Sequence, residues 1–147
     1  MLTASTAIRN DYWIEILGIK RTKISVLIIG NNPIEMTGIY NILIGFRSKS
    51  YLTDVCFDLK DCFNRINKSK PEVLLVDDNL GVKRIQKMAL VLRQNPKTSK
   101  IKVIVLKSSN RNNQVITEVD NYIVKESINA KSLDGVIDKS MQGQMIQ

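Results

Sequence analysis

Two carboxylates, Asp77 and Asp78, follow directly on the apolar run Val73-Leu74-Leu75-Val76, and two ammonium groups, Lys107 and Lys125, each close another such run. A carboxylate beside fixed cations stays ionised, because opposite charges at close range favour the charged form of each. An ionised aspartate can accept a group, hold a metal through its oxygens, or cap a turn. These uses need different company. Magnesium wants several oxygen ligands in near-octahedral geometry. Gly30 and Asn31, which follow a third apolar run, offer one neutral amide oxygen between them. Asn79 adds another amide and Ser108 a hydroxyl. The chain has no histidine, which removes serine-histidine triads, histidine zinc sites and the commonest acid-base group together.

Such residues converge only if the runs that carry them lie side by side. Val73 to Val76, bounded by Pro71 and by Asp78-Asn79-Leu80-Gly81, reads as a strand buried on both faces, as in a parallel sheet. Ile24-Ser25-Val26-Leu27-Ile28-Ile29 reads as another, followed by a turn in which Asn32 caps a helix that starts at Pro33. Ile39, Ile42, Leu43 and Phe46 give that helix one apolar stripe. Tyr51, Thr53, Val55 and Phe57 alternate with other residues, which suits a strand near a sheet edge. Leu59, Cys62, Phe63 and Ile66 mark a second helix, stopped at Pro71. Ile85, Met88, Ala89 and Leu92 form the inner stripe of a third, with Lys83, Arg84 and Lys87 on a solvated outer face. Val103-Ile104-Val105-Leu106 and Tyr122-Ile123-Val124 are two more strands, and Leu133, Val136 and Ile137 stripe a last helix. Residues 110–120 are polar, so any helix there is brief. Strand and helix in alternation demand crossover connections, hence a doubly wound α/β domain. For five strands the common arrangement is the flavodoxin-like order 2-1-3-4-5, with ligands at the carboxyl ends of the strands.

A chain of 147 residues, 44% hydrophobic, suits a single domain with a real core. The reading divides it into an N-terminal extension at 1–22, the domain at 23–141 and a polar tail at 142–147. Within the extension Trp13, Ile16 and Leu17 have helical spacing, although Tyr12, Ile14 and Ile16 would serve an edge strand; a short helix is expected. The net charge of +8 admits acidic partners, nucleic acid among them, but scattered lysines mostly confer solubility. Cys56 and Cys62 are too few for a disulfide scaffold and read as reduced core thiols. With neither a signal peptide nor an apolar run able to span a bilayer, the expected location is the cytoplasm, without membrane contact.

Over 23–141 the chain resembles a response-regulator receiver domain of two-component signalling. The run Pro-Glu-Val-Leu-Leu-Val-Asp ending at Asp77 resembles the family's phosphoacceptor strand, and Asn-Tyr-Ile-Val-Lys ending at Lys125 resembles the strand with its conserved lysine. Gly30 and Asn31 stand at the positions of the family's acidic pair, Lys107 at that of the Thr or Ser that contacts the phosphoryl group, and Tyr122 at that of the switch aromatic. The separation of Lys107 from Asp77 also fits the family.

The departures shape what the resemblance implies. Family phosphorylation uses Mg²⁺, and with Gly30 and Asn31 in place of two acids that ion would bind weakly, through Asp77 and Asn79, so no metal or other cofactor is expected. Lys107 sets a fixed cation where a small hydroxyl belongs, and Asp78-Asn79-Leu80-Gly81 replaces the usual Met-Pro turn. The implied function is that of an atypical, non-enzymatic receiver, in which Lys107, Lys125 or both pair with Asp77 in place of a metal's charge. It would act in signal transduction or transcription regulation as a phosphorylation-independent interaction module. Its partner would be a histidine kinase or a regulatory or output protein, and the face around Tyr122 suits a homodimer. The alternatives are a phosphoacceptor with a weakened Mg²⁺ site, in which Asp78 serves as accessory acid and Ser108 as accessory hydroxyl, and a basic nucleic-acid-associated protein. On a blander reading Asp77 is only a turn carboxylate.

Overall fold

The structure, a computed structural model, describes residues 23–46, 49–108 and 115–143. The expected helix at Trp13, the whole extension 1–22 and the tail end 144–147 lie outside the described residues.

Five strands form one parallel sheet. They are β1 (Lys23–Ile29), β2 (Ser50–Cys56), β3 (Val73–Asp77), β4 (Lys102–Lys107) and β5 (Asn121–Val124), in the spatial order β2-β1-β3-β4-β5. This is the flavodoxin-like arrangement read from the sequence. Four α-helices are described: α1 (Pro33–Ile44), α2 (Leu59–Ser69), α3 (Val82–Gln94) and α4 (Ala130–Met141). Among the described residues no helix is long and apolar enough to cross a membrane.

Three of the four helices begin at a side-chain cap, α3 being the exception. The Asn32 side chain accepts from the Ile34 and Glu35 amides at 3.1 and 3.2 Å, and Pro33 takes the first helical position, where its missing N–H costs nothing. Asp58 caps α2 through the Asp61 amide at 2.8 Å, and Asn129 with Ser132 forms a capping box on α4.

Side chains alternate across the sheet, so the central strands feed two cores. On one face Met36, Ile39 and Leu43 of α1 and Leu133, Val136 and Ile137 of α4 pack on Ile28, Leu75 and Leu106. On the other Cys62 and Ile66 of α2 and Ile85, Met88 and Leu92 of α3 pack on Leu74, Val76 and Val105. Burial of each such aliphatic side chain contributes about 1.5 to 3 kcal/mol.

The second core has an unusual member. Ile116 and Val119, from the connection between β4 and β5, are buried in it although residues 115–120 are not helical. Arg93 of α3 ties this connection down, donating to the Ile101 and Glu118 carbonyls at 2.6 and 3.0 Å and to Asp120 at 2.8 Å. Polar composition had suggested a weak helix over 110–120. Its described part is a pinned loop with a turn at Thr117 and Glu118, and 110–114 lie outside the described residues.

Candidate functional site

Asp77 is the last residue of β3, and its side chain is wholly buried. One carboxylate oxygen, Oδ1, accepts from Lys125 Nζ at 2.8 Å and from the Asn79 amide at 2.9 Å. The second bond makes Asp77 the cap of a single 3₁₀ turn, Asp78–Leu80. The turn-carboxylate reading and the ion-pair reading therefore describe the same group. The other oxygen, Oδ2, is buried and has no hydrogen-bond donor among the described residues.

Lys125 follows β5 and is 14% exposed. Its ammonium also lies 3.5 Å from Glu35 Oε1, in the first turn of α1. Burial works against the ammonium, but the hydrogen bond and charge of Asp77, with Glu35 and Asp78 adding, raise its pKa above the ordinary lysine value.

Beside Asp77, a methionine fills the space over Gly30. Met36 of α1 has no exposed surface, and its side chain rests on Gly30. A Cβ at Gly30 would collide with Met36 Sδ, lie 2.9 Å from its Cγ and 3.0 Å from the Asp77 Cβ. The space that an acidic side chain at this position would use is thus already filled by a thioether. The neighbouring candidate, Asn31, is exposed.

Two expectations need correction. Lys107, Lys125 or both were the expected partners of Asp77, each closing a run beside it; among the described residues only Lys125 ion-pairs with it. The register explains the absence of Lys107. Asp77 is paired with Leu106, so those two share a face, and Lys107, one residue on, points to the other. Asp78 was the candidate accessory acid for a metal, yet both its oxygens are engaged. Oδ2 accepts from the Ser108 amide at 2.9 Å and Oδ1 from the Ser108 hydroxyl at 2.7 Å. Asn79 Oδ1 lies 3.4 Å from the same hydroxyl. Ser108 and Asp78 therefore form a clasp between the ends of β4 and β3.

Tyr122 lies on β5, and its hydroxyl accepts from the Ile116 amide at 2.7 Å and donates to the Ile116 carbonyl at 3.2 Å. The ring packs against the second core, so aromatic and pinned loop hold each other.

No protein-family model matches the chain, and no curated protein sequence does. Solved structures do. A response regulator from Desulfuromonas acetoxidans superposes with a TM-score of 0.64 at 16% identity, covering 81% of this chain and 97% of that one. The non-phosphorylated receiver domain of the stress response regulator RcsB from Escherichia coli gives 0.60 at 18% identity, covering 86% and 100%. Chemotaxis response regulator CheY4 of Vibrio cholerae gives 0.66 at 14% identity, covering 81% and 99%.

The chain has the receiver fold.

The receiver fold implies a Mg²⁺ ion beside the aspartate, and the residues present do not fit one. Mg²⁺ keeps several waters and takes oxygen ligands. Here the carboxylate is sealed from solvent, one oxygen holds an ammonium, a soft thioether stands at Gly30, and Asp78 is committed to Ser108. Among the described residues no group of three acidic, cysteine or histidine side chains could hold a metal.

Sequence reasoning missed Met36 and Glu35. Met36 was within reach of it, since 36, 39 and 43 continue the helix stripe one turn earlier. Glu35 carried no such signal, because an acid in the first turn of a helix is ordinary.

Proposed function

We propose that this receiver-fold domain is a pseudo-receiver, a protein-interaction module in signal transduction or transcription regulation that works without aspartate phosphorylation and without catalysis of its own. The observation that carries this reading is the burial of Asp77, with Lys125 on one oxygen and Met36 filling the place beside it. Phosphoryl transfer to an aspartate needs an accessible oxygen, an in-line approach and cationic stabilisation of the phosphoryl oxygens. Lys125 supplies a fixed charge in a closed pocket. The clasp of Asp78 with Ser108 and the anchored Tyr122 favour one conformation of the ends of β4 and β5. The partner is then a regulatory or output protein that recognises this single state.

Titration of the protein with beryllofluoride and Mg²⁺, followed by heteronuclear NMR, tests the reading. The expected result is no saturable shift at residues around Asp77, while the triple variant Gly30→Asp, Asn31→Asp, Met36→Ala gains one. Saturable shifts centred on Asp77 in the unmodified protein would defeat the proposal.

A further inference from the structure

The amino end of the sheet, opposite Asp77, carries a pocket of about 280 Å³. Its floor is apolar: Pro71 and Ile101 are buried, and Met141 at the end of α4 closes one side. Its rim is basic. Lys70, Lys97 and Lys100 are exposed and make no ion pair among the described residues, while Lys102 lies 3.9 Å from Asp120. Glu72 is the one acid in the lining, and its Oε1 already accepts from the Ser25 amide at 3.2 Å and the Ser25 hydroxyl at 3.4 Å. An apolar floor beside three exposed ammonium groups fits a segment that carries both apolar side chains and carboxylates.

The chain contains such a segment shortly before β1. In Asp11-Tyr12-Trp13-Ile14-Glu15-Ile16-Leu17 the two acids of residues 1–22 are four apart, with large apolar residues between and after them. The segment precedes β1, whose Ser25 carbonyl accepts from the amide of Glu72, a residue of the pocket lining, at 3.0 Å. Between Leu17 and Lys23 lie only Gly18 to Thr22, a tether able to span roughly 17 Å when extended. A tether that short holds the segment at an effective concentration of order millimolar, far above what a free partner of equal chemistry reaches. Residues 144–147, which follow Gly143 in the sequence, carry no charged side chain.

We infer that residues 11–17 dock in cis on this pocket, with Trp13 and its apolar neighbours on Pro71, Ile101 and Met141, and Asp11 and Glu15 against Lys97 and Lys100. The docked segment covers a basic surface at the end of the domain away from Asp77. A partner that reached this surface would have to displace it with the same combination of acidic and apolar groups.

Trp13 is the single tryptophan of the chain, so its fluorescence reports on the docking directly. Acrylamide quenching is measured on four full-length forms: the unmodified protein, Lys97→Glu with Lys100→Glu, Asp11→Lys with Glu15→Lys, and all four changes together. The expected result is a shielded, blue-shifted indole in the unmodified protein, a severalfold rise in quenching with a red shift in either charge reversal, and recovery in the combined form. High salt also loosens the shielding, because exposed pairs are screened. Equal quenching in all four forms overturns the inference. So does failure of the combined form to recover, or shielding that disappears on dilution, which would place the segment on a second copy. Lys97 and Lys100 are exposed, and the milder Lys97→Gln with Lys100→Gln gives the same direction if charge reversal disturbs the loop.

Discussion

At the carboxyl end of the sheet Lys125 reaches 2.8 Å to a carboxylate with no exposed surface, whereas at the amino end Lys97 and Lys100 stand in solvent with no acidic partner among the described residues. The two ends use the same side chain for opposite purposes. In the closed pocket, desolvation makes each charge dependent on the other, and losing one strands its partner. At the open rim water and salt screen the ammonium groups, which contribute little to stability and remain available for an outside charge. The difference lies in burial, and burial is set by what the neighbouring elements bring: at one end Asp77 has no exposed surface and Met36 fills the space at Gly30, at the other Lys97 and Lys100 stand exposed on the rim of an open pocket.

The largest effect expected from breaking this contrast is at Lys125. Lys125→Met leaves the Asp77 carboxylate buried and unpaired, and urea denaturation should show a loss of about 3 to 5 kcal/mol. Adding Asp77→Leu removes the stranded charge and should restore most of that loss. If single and double variants are equally unstable, the pair is not the source.

The same pair sets a pH dependence. Folding raises the Lys125 pKa, as it does that of Lys49, which Asp134 and Asp138 hold against the cost of its burial, and that of Tyr51, through burial first and then Asp134 and Asp138. A raised folded pKa means a contribution that is whole below the ordinary lysine value of 10.5 and lost as pH climbs through the higher folded value. Denaturation midpoints should therefore hold up to about pH 10 and fall beyond it, with a shallower fall in the Lys125→Met, Asp77→Leu variant.

Met36→Ala comes next. Removing a buried thioether should cost about 2 to 5 kcal/mol, the range for large-to-small changes in cores, and should admit solvent to Asp77. At the other end, Lys97→Glu with Lys100→Glu should leave stability within about 0.5 kcal/mol, the ordinary result for exposed positions. A loss comparable to that of Met36→Ala would erase the distinction between the two ends.

The fold was readable because each level of the sequence agreed with the others. Apolar runs too short for helices alternated with stripes at helical spacing, and the cap Asn32 fell where its helix begins. Asp77 and Lys125 were readable for the same reason, as residues that close apolar runs which must lie side by side. Lys107 misled because sequence position gives the end of a strand but not the face, and the register puts Leu106 opposite Asp77. The meaning of Gly30 was out of reach as well. A glycine at an acidic position reads as a missing ligand, and only packing reveals that its lack of a side chain makes room for Met36. The loop at 115–120 shows a further limit, since its order comes from Arg93 and Tyr122, remote partners that no local pattern announces.

The most direct measurement is intact-mass spectrometry of the protein after incubation with acetyl phosphate and Mg²⁺, read at acidic pH where an acyl phosphate survives. A sealed, lysine-paired Asp77 predicts an unchanged mass. A stoichiometric phosphoryl adduct mapped to Asp77 would contradict it.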